Sequence, residues 1–340
     1  MSGYKNILKK NLFLLDHLSF KYKKIKTQDT LIISGTPRSG TTWLMEIIEK
    51  LPKYASVFEP LNPKWFPDAK LYGFNSRTYV PLNTDWKRGE KYLHKVFSGK
   101  IISKNPNYNP DPKFIIKRLL SNKIVVKFIR ANRLLPWIQE KFQLKGIIHI
   151  IRHPCATINS QLEKNYFGYN YLTKDFTEKM PSKEVLINEI SQIKNYKSFF
   201  LNIVKNFKHK EEILAAIWCI DNIIPLTSIY VNKLYILTYE SLISEGLKEL
   251  KKLYTFFGEK LNKASINQLL IPSRLTKGEN PKKVLNLNYQ INKWKTSLNE
   301  NQINRIIDVV HEFGLDFYTR DIIPNNKALH SFIDNNFYNI

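Results

Sequence analysis

The chain has 340 residues, 43% of them hydrophobic, enough for one large α/β domain or two ordinary ones; no Pro/Gly/Ser-rich linker or internal repeat divides it, so one is expected. The formal charge of +24 would attract nucleic acid, anionic lipid or a polyanionic small molecule, but Lys, Asn and Ile are abundant throughout, so charge by itself selects none of them. Two Cys, Cys155 and Cys219, exclude a disulfide framework and point to a reducing, cytoplasmic setting, and no run is long enough to span a bilayer.

In chain order, residues 4–20 put Tyr4, Ile7, Leu8, Leu15 and Leu18 on one side with Lys5, Lys9 and Lys10 nearby. Residues 1–28 therefore read as a basic amphipathic segment that packs on the domain, with at most weak peripheral contact to a membrane. The stretch that organises the rest follows. Thr30–Ser34 is a β-branched, apolar run of strand length, Gly35, Thr36, Pro37, Arg38, Ser39 and Gly40 make a turn, and Thr41, Thr42, Trp43 and Leu44 open a helix continued by Ile47, Ile48 and Leu51. Unpaired N–H groups at the start of a helix, where its dipole is positive, form an anion site. Arg38 adds a charged planar fork, and Ser39, Thr41 and Thr42 add hydroxyls, so a phosphorylated ligand is expected here. A nucleoside-triphosphate loop would need Lys where Thr41 stands.

Tyr54–Phe58 reads as a second strand ending at Glu59 and Pro60. In an open parallel sheet the ligand crevice lies beyond the carboxyl ends of the strands, which makes Glu59 a candidate general base. Position alone fits equally a solvated loop Glu or a partner for a structural Lys. Residues 62–122 are the least patterned part, and their aromatics, Trp65, Phe66, Tyr72, Phe74, Tyr79 and Trp86, suit either an acceptor site or packing.

Lys123–Ile129 is the third strand, with Lys127 and Arg130 at its carboxyl end, and a helix follows over residues 134–142. Gly146–Ile151 is a continuous apolar run of the kind found in mid-sheet. Pro154 fits a first helical turn, so Arg152 ends the strand and Ser160 lies about two turns into the next helix. Arg in place of Asp after that run excludes a Walker B carboxylate. His149 reads as a core histidine and His153 as local structure. Residues 162–176, with Tyr166, Phe167, Tyr169 and Tyr171, suggest a lid. Helices are expected over residues 185–207 and 211–231, the second with a core Trp218. A last strand follows over Leu234–Thr238, then Tyr239, Glu240, Ser241 and Leu242, a helix ending at Gly258, a closing helix over residues 301–313 capped by Gly314, and a tail over 321–340, loose from Ser331.

A loop with its cation at Arg38, followed by Gly40, Thr41, Thr42, Trp43 and Leu44, resembles the 5′-phosphosulfate loop of sulfotransferases that use 3′-phosphoadenosine-5′-phosphosulfate (PAPS). Arg152 with Ser160 resembles the family's 3′-phosphate site, and Thr238–Leu242 a recurring architectural motif. Phe58, Glu59, Pro60 and Leu61 resemble the carbohydrate-type branch, in which a Glu at this place serves the acceptor. The small-phenol branch places a catalytic His where this chain has Ile129. Ser273 to Gly278 and Trp294 with Lys295 resemble the C-terminal cofactor loop; its Arg-Lys-Gly is not present in that form, so Lys277 and Gly278 are weaker matches.

The resemblance implies an α/β fold, a P-loop-type parallel sheet with helices on both faces in a single domain over residues 29–320. It implies PAPS held by residues 35–43, Arg152, Ser160, Lys277 and Gly278, and sulfuryl transfer to a hydroxyl of a carbohydrate, lipid or other small molecule. Arg38 and Lys127 would offset developing charge, Glu59 would act as base, and no metal or specific nucleic acid is implied. A P-loop kinase or NTPase and a nonenzymatic nucleic-acid-binding protein are the rival expectations.

Overall fold

The computed structural model describes residues 25–101, 103, 112–167, 180–274 and 287–336. The expected amphipathic helix over 4–20, Tyr169 and Tyr171 of the lid, and Lys277 and Gly278 lie outside these residues.

Five strands, β1 (Thr30–Ser34), β2 (Tyr54–Phe58), β3 (Lys123–Phe128), β4 (Gly146–Ile151) and β5 (Leu234–Thr238), form one parallel sheet in the order β2-β3-β1-β4-β5. All five β1 residues are buried, as the unbroken apolar pattern requires of a strand covered on both faces. Ile32 stands opposite Val126 of β3 and Ile147 of β4, so a slip of one residue would reverse which faces these side chains fill.

Alternation along the strands feeds two cores. Leu31, Ile33, Val125, Ile148 and Leu237 pack with α1 (Thr41–Ile48) and with Leu250 and Leu269, whereas Ile32, Ile124, Val126 and Ile147 pack with Leu93, Val96, Leu134 and Trp137. Helices thus cover both faces of the sheet. A third, mostly helical core beyond β4 gathers Trp218, Ile306, Phe313 and Leu329.

The elements around the strands depart from expectation in several places. Residues 62–122 hold α2 (Asp68–Leu71), α3 (Lys87–Phe97) and α4 (Pro112–Leu120). Phe74, Trp86, Tyr92 and Trp137 pack ring against ring, with centroids 4.6 to 5.4 Å apart. Those rings are packing against the sheet, not an acceptor platform. After α5 (Leu135–Lys141) and α6 (Pro154–Lys164), the helix expected over 185–207 is two, α7 (Lys183–Ile190) and α8 (Lys197–Val204), because a turn between them lets Ile190, Ile193 and Phe200 all reach the core. The next, α9 (Lys210–Leu226), stops before Thr227, whose hydroxyl donates to the Ile223 carbonyl. The helix expected from Tyr239 to Gly258 breaks into α10 (Tyr239–Ser244) and α11 (Leu247–Phe256). Gly246 between them has φ +46°, outside the helical region. The chain continues through α12 (Lys263–Leu269), α13 (Leu287–Asn292), α14 (Trp294–Ser297) and α15 (Glu300–Glu312). The expected tail includes a helix, α16 (Asn326–Asn336), anchored by the buried Leu329.

Gly35, directly after β1, is fixed by close approach. A Cβ there would press on the Ile150 carbonyl oxygen and the Ser39 hydroxyl. Gly35→Ala should push the loop off β4 and lower unfolding free energy by about 1 to 3 kcal/mol, the usual cost of overpacking. A parent-like midpoint in urea would show that the loop has room to move.

Candidate active site

The sheet's order decides where a ligand goes. The chain leaves central β1 toward β2 on one side and later passes from β4 to β5 on the other, and such a reversal opens a crevice at the carboxyl ends of the strands. A cleft of about 1120 Å³, solvent-open space included, lies there; its wall includes Arg38, Lys127, Arg152, Ser160 and Tyr239.

The loop between β1 and α1 forms the floor. Arg38, Gly40, Thr41, Thr42 and Trp43 line the cleft; Gly35, Thr36, Pro37 and Ser39 are not among its lining residues. The loop is tied down from behind: the Ser39 N–H donates to the Thr36 carbonyl at 3.1 Å and the Gln161 amide donates to the Pro37 carbonyl at 2.9 Å. Arg38 sits at φ +75° and Gly40 at φ +97°, and only the first of these is a costly conformation. A strained residue carrying the loop's only cation is the kind of feature that collects at binding sites.

Arg38, Arg152 and Ser160 come together across more than a hundred residues of sequence. Arg38 Nε donates to Ser160 Oγ at 2.9 Å, and Arg152 Nη1 donates to the Arg38 carbonyl at 3.1 Å. Arg152 also donates from Nη2 to the Gln290 carbonyl at 2.9 Å, and its guanidinium lies 4.4 Å from the centre of the Tyr239 ring. Behind it, Trp218 Nε1 donates to the Arg152 carbonyl at 3.1 Å, so that core Trp also braces the site. Trp43 closes one side, its indole N–H donating to the Ile271 carbonyl at 3.0 Å.

Lys127 lies on the same wall, its side chain only 3% exposed. Burial pushes its pKa down, and the charge and hydrogen bond of Glu59 pull against that. Glu59 is fully buried and does not line the cleft. Its Oε1 is 2.7 Å from Lys127 Nζ and its Oε2 accepts from Arg130 Nη1 at 3.0 Å. The residue expected as a base therefore stands one layer behind the wall, as the partner of a lysine.

Neither histidine reaches the cleft. His149 Nε2 is 2.9 Å from Asn222 Oδ1, and burial brings its pKa down to about 4. His153 stacks on Trp294 with centroids 4.5 Å apart, and burial takes its pKa to about 3. Glu240 accepts from the His153 N–H and from the Tyr318 hydroxyl, both at 2.9 Å, which makes it architectural, as its motif implied.

Several wall residues carried no role in the sequence reading: Tyr239, Glu163, Gln290, Lys293 and the run Leu269–Pro272, whereas Ser273 beside them begins the segment likened to the cofactor loop. Lys293 Nζ and Glu163 Oε2 pair at 2.7 Å across the cleft's rim. No signal in sequence joins positions 130 residues apart; the Tyr239 motif was visible but read as architecture alone.

The donors suit an anion. Of the residues that line the cleft, Arg152 Nε and the Trp294 indole N–H are buried with no hydrogen-bond partner among the described residues. Unmet donors beside two guanidiniums are what phosphate oxygens satisfy. Among the described residues no three of His, Cys, Asp and Glu come together as a metal site, and no helix is long and apolar enough to cross a membrane.

No protein-family model matches the chain, and no curated protein matches it. Among solved structures it is similar to the sulfotransferase domain of the Synechococcus olefin synthase, at 17% identity and a TM-score of 0.43, covering 86% of this chain and 96% of that one. It is similar to the mouse sulfotransferase SULT7A1 complexed with PAP, at 16% identity and a TM-score of 0.43, covering 94% and 93%. A third is the sulfotransferase domain of the curacin biosynthetic pathway, at 15% identity, a TM-score of 0.43 and coverage of 86% and 98%. Likeness at this level assigns no activity.

Proposed function

We propose that this cleft transfers a sulfuryl group from PAPS to a hydroxyl of a small-molecule or glycan acceptor. The observation that carries the reading is the convergence of Arg38, Ser160, Arg152 and Lys127 on one wall at the carboxyl ends of β1, β3 and β4. Two guanidiniums on one wall suit a donor with phosphate at both ends. Arg152 with Ser160 would hold the 3′-phosphate. The loop N–H groups with Arg38 would hold the 5′-phosphosulfate. Bound there, PAPS would supply the sulfuryl group: the acceptor oxygen bonds to sulfur as the bridging S–O bond breaks, its electron pair leaving on the 5′-phosphate and the hydroxyl proton leaving to water.

The residues do the work of position and charge. Lys127 would put an ammonium beside the bridging oxygen as negative charge grows there. Arg38 would neutralise the departing phosphate. The half-buried ring of Tyr239, which faces the Arg152 guanidinium, would keep it turned into the cleft.

Calorimetric titration with adenosine 3′,5′-bisphosphate, against 5′-AMP and ATP, tests this reading. Tight binding that is lost without the 3′-phosphate is expected. Arg152→Ala should weaken that binding by about 2 to 5 kcal/mol, as for removing one side of a desolvated charge pair. A preference for ATP would replace the reading with a kinase or NTPase.

A further inference from the structure

Arg130 has no part in the reading above, yet the site is built against it. Its side chain is fully enclosed, and its guanidinium meets the Glu59 carboxylate at 3.0 Å. The other carboxylate oxygen is 2.7 Å from Lys127 Nζ. Glu59 is held from its backbone as well: its N–H donates to the Lys127 carbonyl at 3.0 Å, and it sits at φ +51°, a left-handed conformation that a non-glycine residue adopts only where its surroundings hold it. The Phe58 ring lies 4.4 Å from Lys127 Nζ. Arg130, Glu59 and Lys127 thus form a stack of three layers in which only Lys127 reaches the cleft.

Resting on the sulfuryl-transfer reading, we propose that Arg130 is a positioning residue that acts through Glu59 to lock the Lys127 ammonium on the cleft wall, and that Glu59 serves as this brace instead of taking the acceptor's proton. Lysine's four-carbon stem is flexible and its charge is a point, so its direction must be imposed from outside. Arginine's planar fork is rigid and always charged, which makes it a fixed anchor. A carboxylate with a cation on each oxygen points its lone pairs at those cations, and here it has no face on the cleft. The charged groups that bear on Lys127 are Glu59, Arg130 and Arg274, the last with its guanidinium 5.3 Å from the Phe58 ring centre.

The test uses the full chain, parent and Arg130→Met, Arg130→Lys and Glu59→Gln, with labelled lysine side chains followed by NMR and Lys127 assigned by its loss in Lys127→Arg. Removing the Arg130 cation should raise the pH at which Lys127 titrates, and removing the Glu59 charge should lower it. In Arg130→Met, kcat should fall by about 10- to 100-fold, the range for a misplaced catalytic group. Affinity for the bisphosphate should stay within about threefold of the parent, because nucleotide binding in this reading rests on Arg38, Arg152 and Ser160. Arg130→Lys, which keeps the charge, should recover part of the rate. Lys127 unmoved in both Arg130→Met and Glu59→Gln would overturn the brace. So would a Glu59→Gln enzyme that loses its rate while Lys127 titrates as in the parent, since that is the behaviour of a base. If the parent binds no bisphosphate, the transfer reading fails, and the lysine titrations still decide the brace by opposite shifts or none.

Discussion

On the proposed transfer reading, Arg38→Gly should leave the protein folded and slow sulfuryl transfer about 100- to 1000-fold, the loss seen when one oxyanion donor is removed. The two halves of that result separate function from stability. Arg38 is held at φ +75°, and a left-handed residue with a Cβ costs about 1 to 2 kcal/mol that glycine does not incur. Against this stand the freer unfolded chain of glycine, about 0.5 to 1 kcal/mol, and the lost bond to Ser160, about 0.5 to 1.5 kcal/mol. These terms nearly cancel, so the urea midpoint should stay close to that of the parent. A variant that is inactive because it is unfolded would make Arg38 a structural residue of the loop and remove it from the chemistry.

Asp221→Ala should do the reverse. Asp221 lies in the middle of α9, fully buried, with Arg77 Nε 3.0 Å from one oxygen and Arg133 Nε 2.8 Å from the other; Arg133 also meets Glu189 at 2.7 Å. Removing the central anion strands buried guanidinium charge, and breaking such a pair costs about 3 to 5 kcal/mol. Chemical denaturation is the measurement, and a loss under about 1 kcal/mol would mean that the cluster relaxes around the gap. Burial pushes the Asp221 carboxyl up, but Arg77 and Arg133 more than offset it and hold the pKa below the ordinary value. A depressed folded pKa means that its contribution is present above the unfolded value of about 3.9 and is lost as pH falls through the folded one. The parent should therefore keep this increment at neutral pH and lose it as pH falls below the ordinary carboxylate range, and Asp221→Asn should lack it at every pH.

All five strands were legible, because each is a short apolar run bounded by Gly, Pro or charge, and a parallel sheet buried on both faces leaves no other pattern. The loop was legible too: Gly35, Arg38 and Gly40 are local chemistry. Helix breaks were not. Ser191 and Gln192 interrupt one apolar pattern without a Gly or Pro, and what turns the chain there is a core that lies elsewhere in sequence. The same limit hid the partnership of Glu59. Position placed it at a strand's carboxyl end, which fits a base and a lysine's partner alike, and the choice turns on Lys127 and Arg130, about 70 positions away. Asp221 within an apolar helix gave no sign of its two arginines, since ion pairs between distant segments leave no spacing to read.

The central place of β1 has a consequence for how the chain is made. Its neighbours β3 and β4 end at Phe128 and Ile151, so the earliest made of these five strands is the one that must wait for both sides of its hydrogen bonding. At about 5 to 20 residues added per second, the roughly 100 residues between β1 and the end of β3 take some 5 to 20 s. For that interval Leu31, Ile32 and Ile33 are a sticky, unpaired template for any other nascent strand. Holding chaperones that act early in synthesis should therefore matter more to the yield of this protein than those that act on the finished chain.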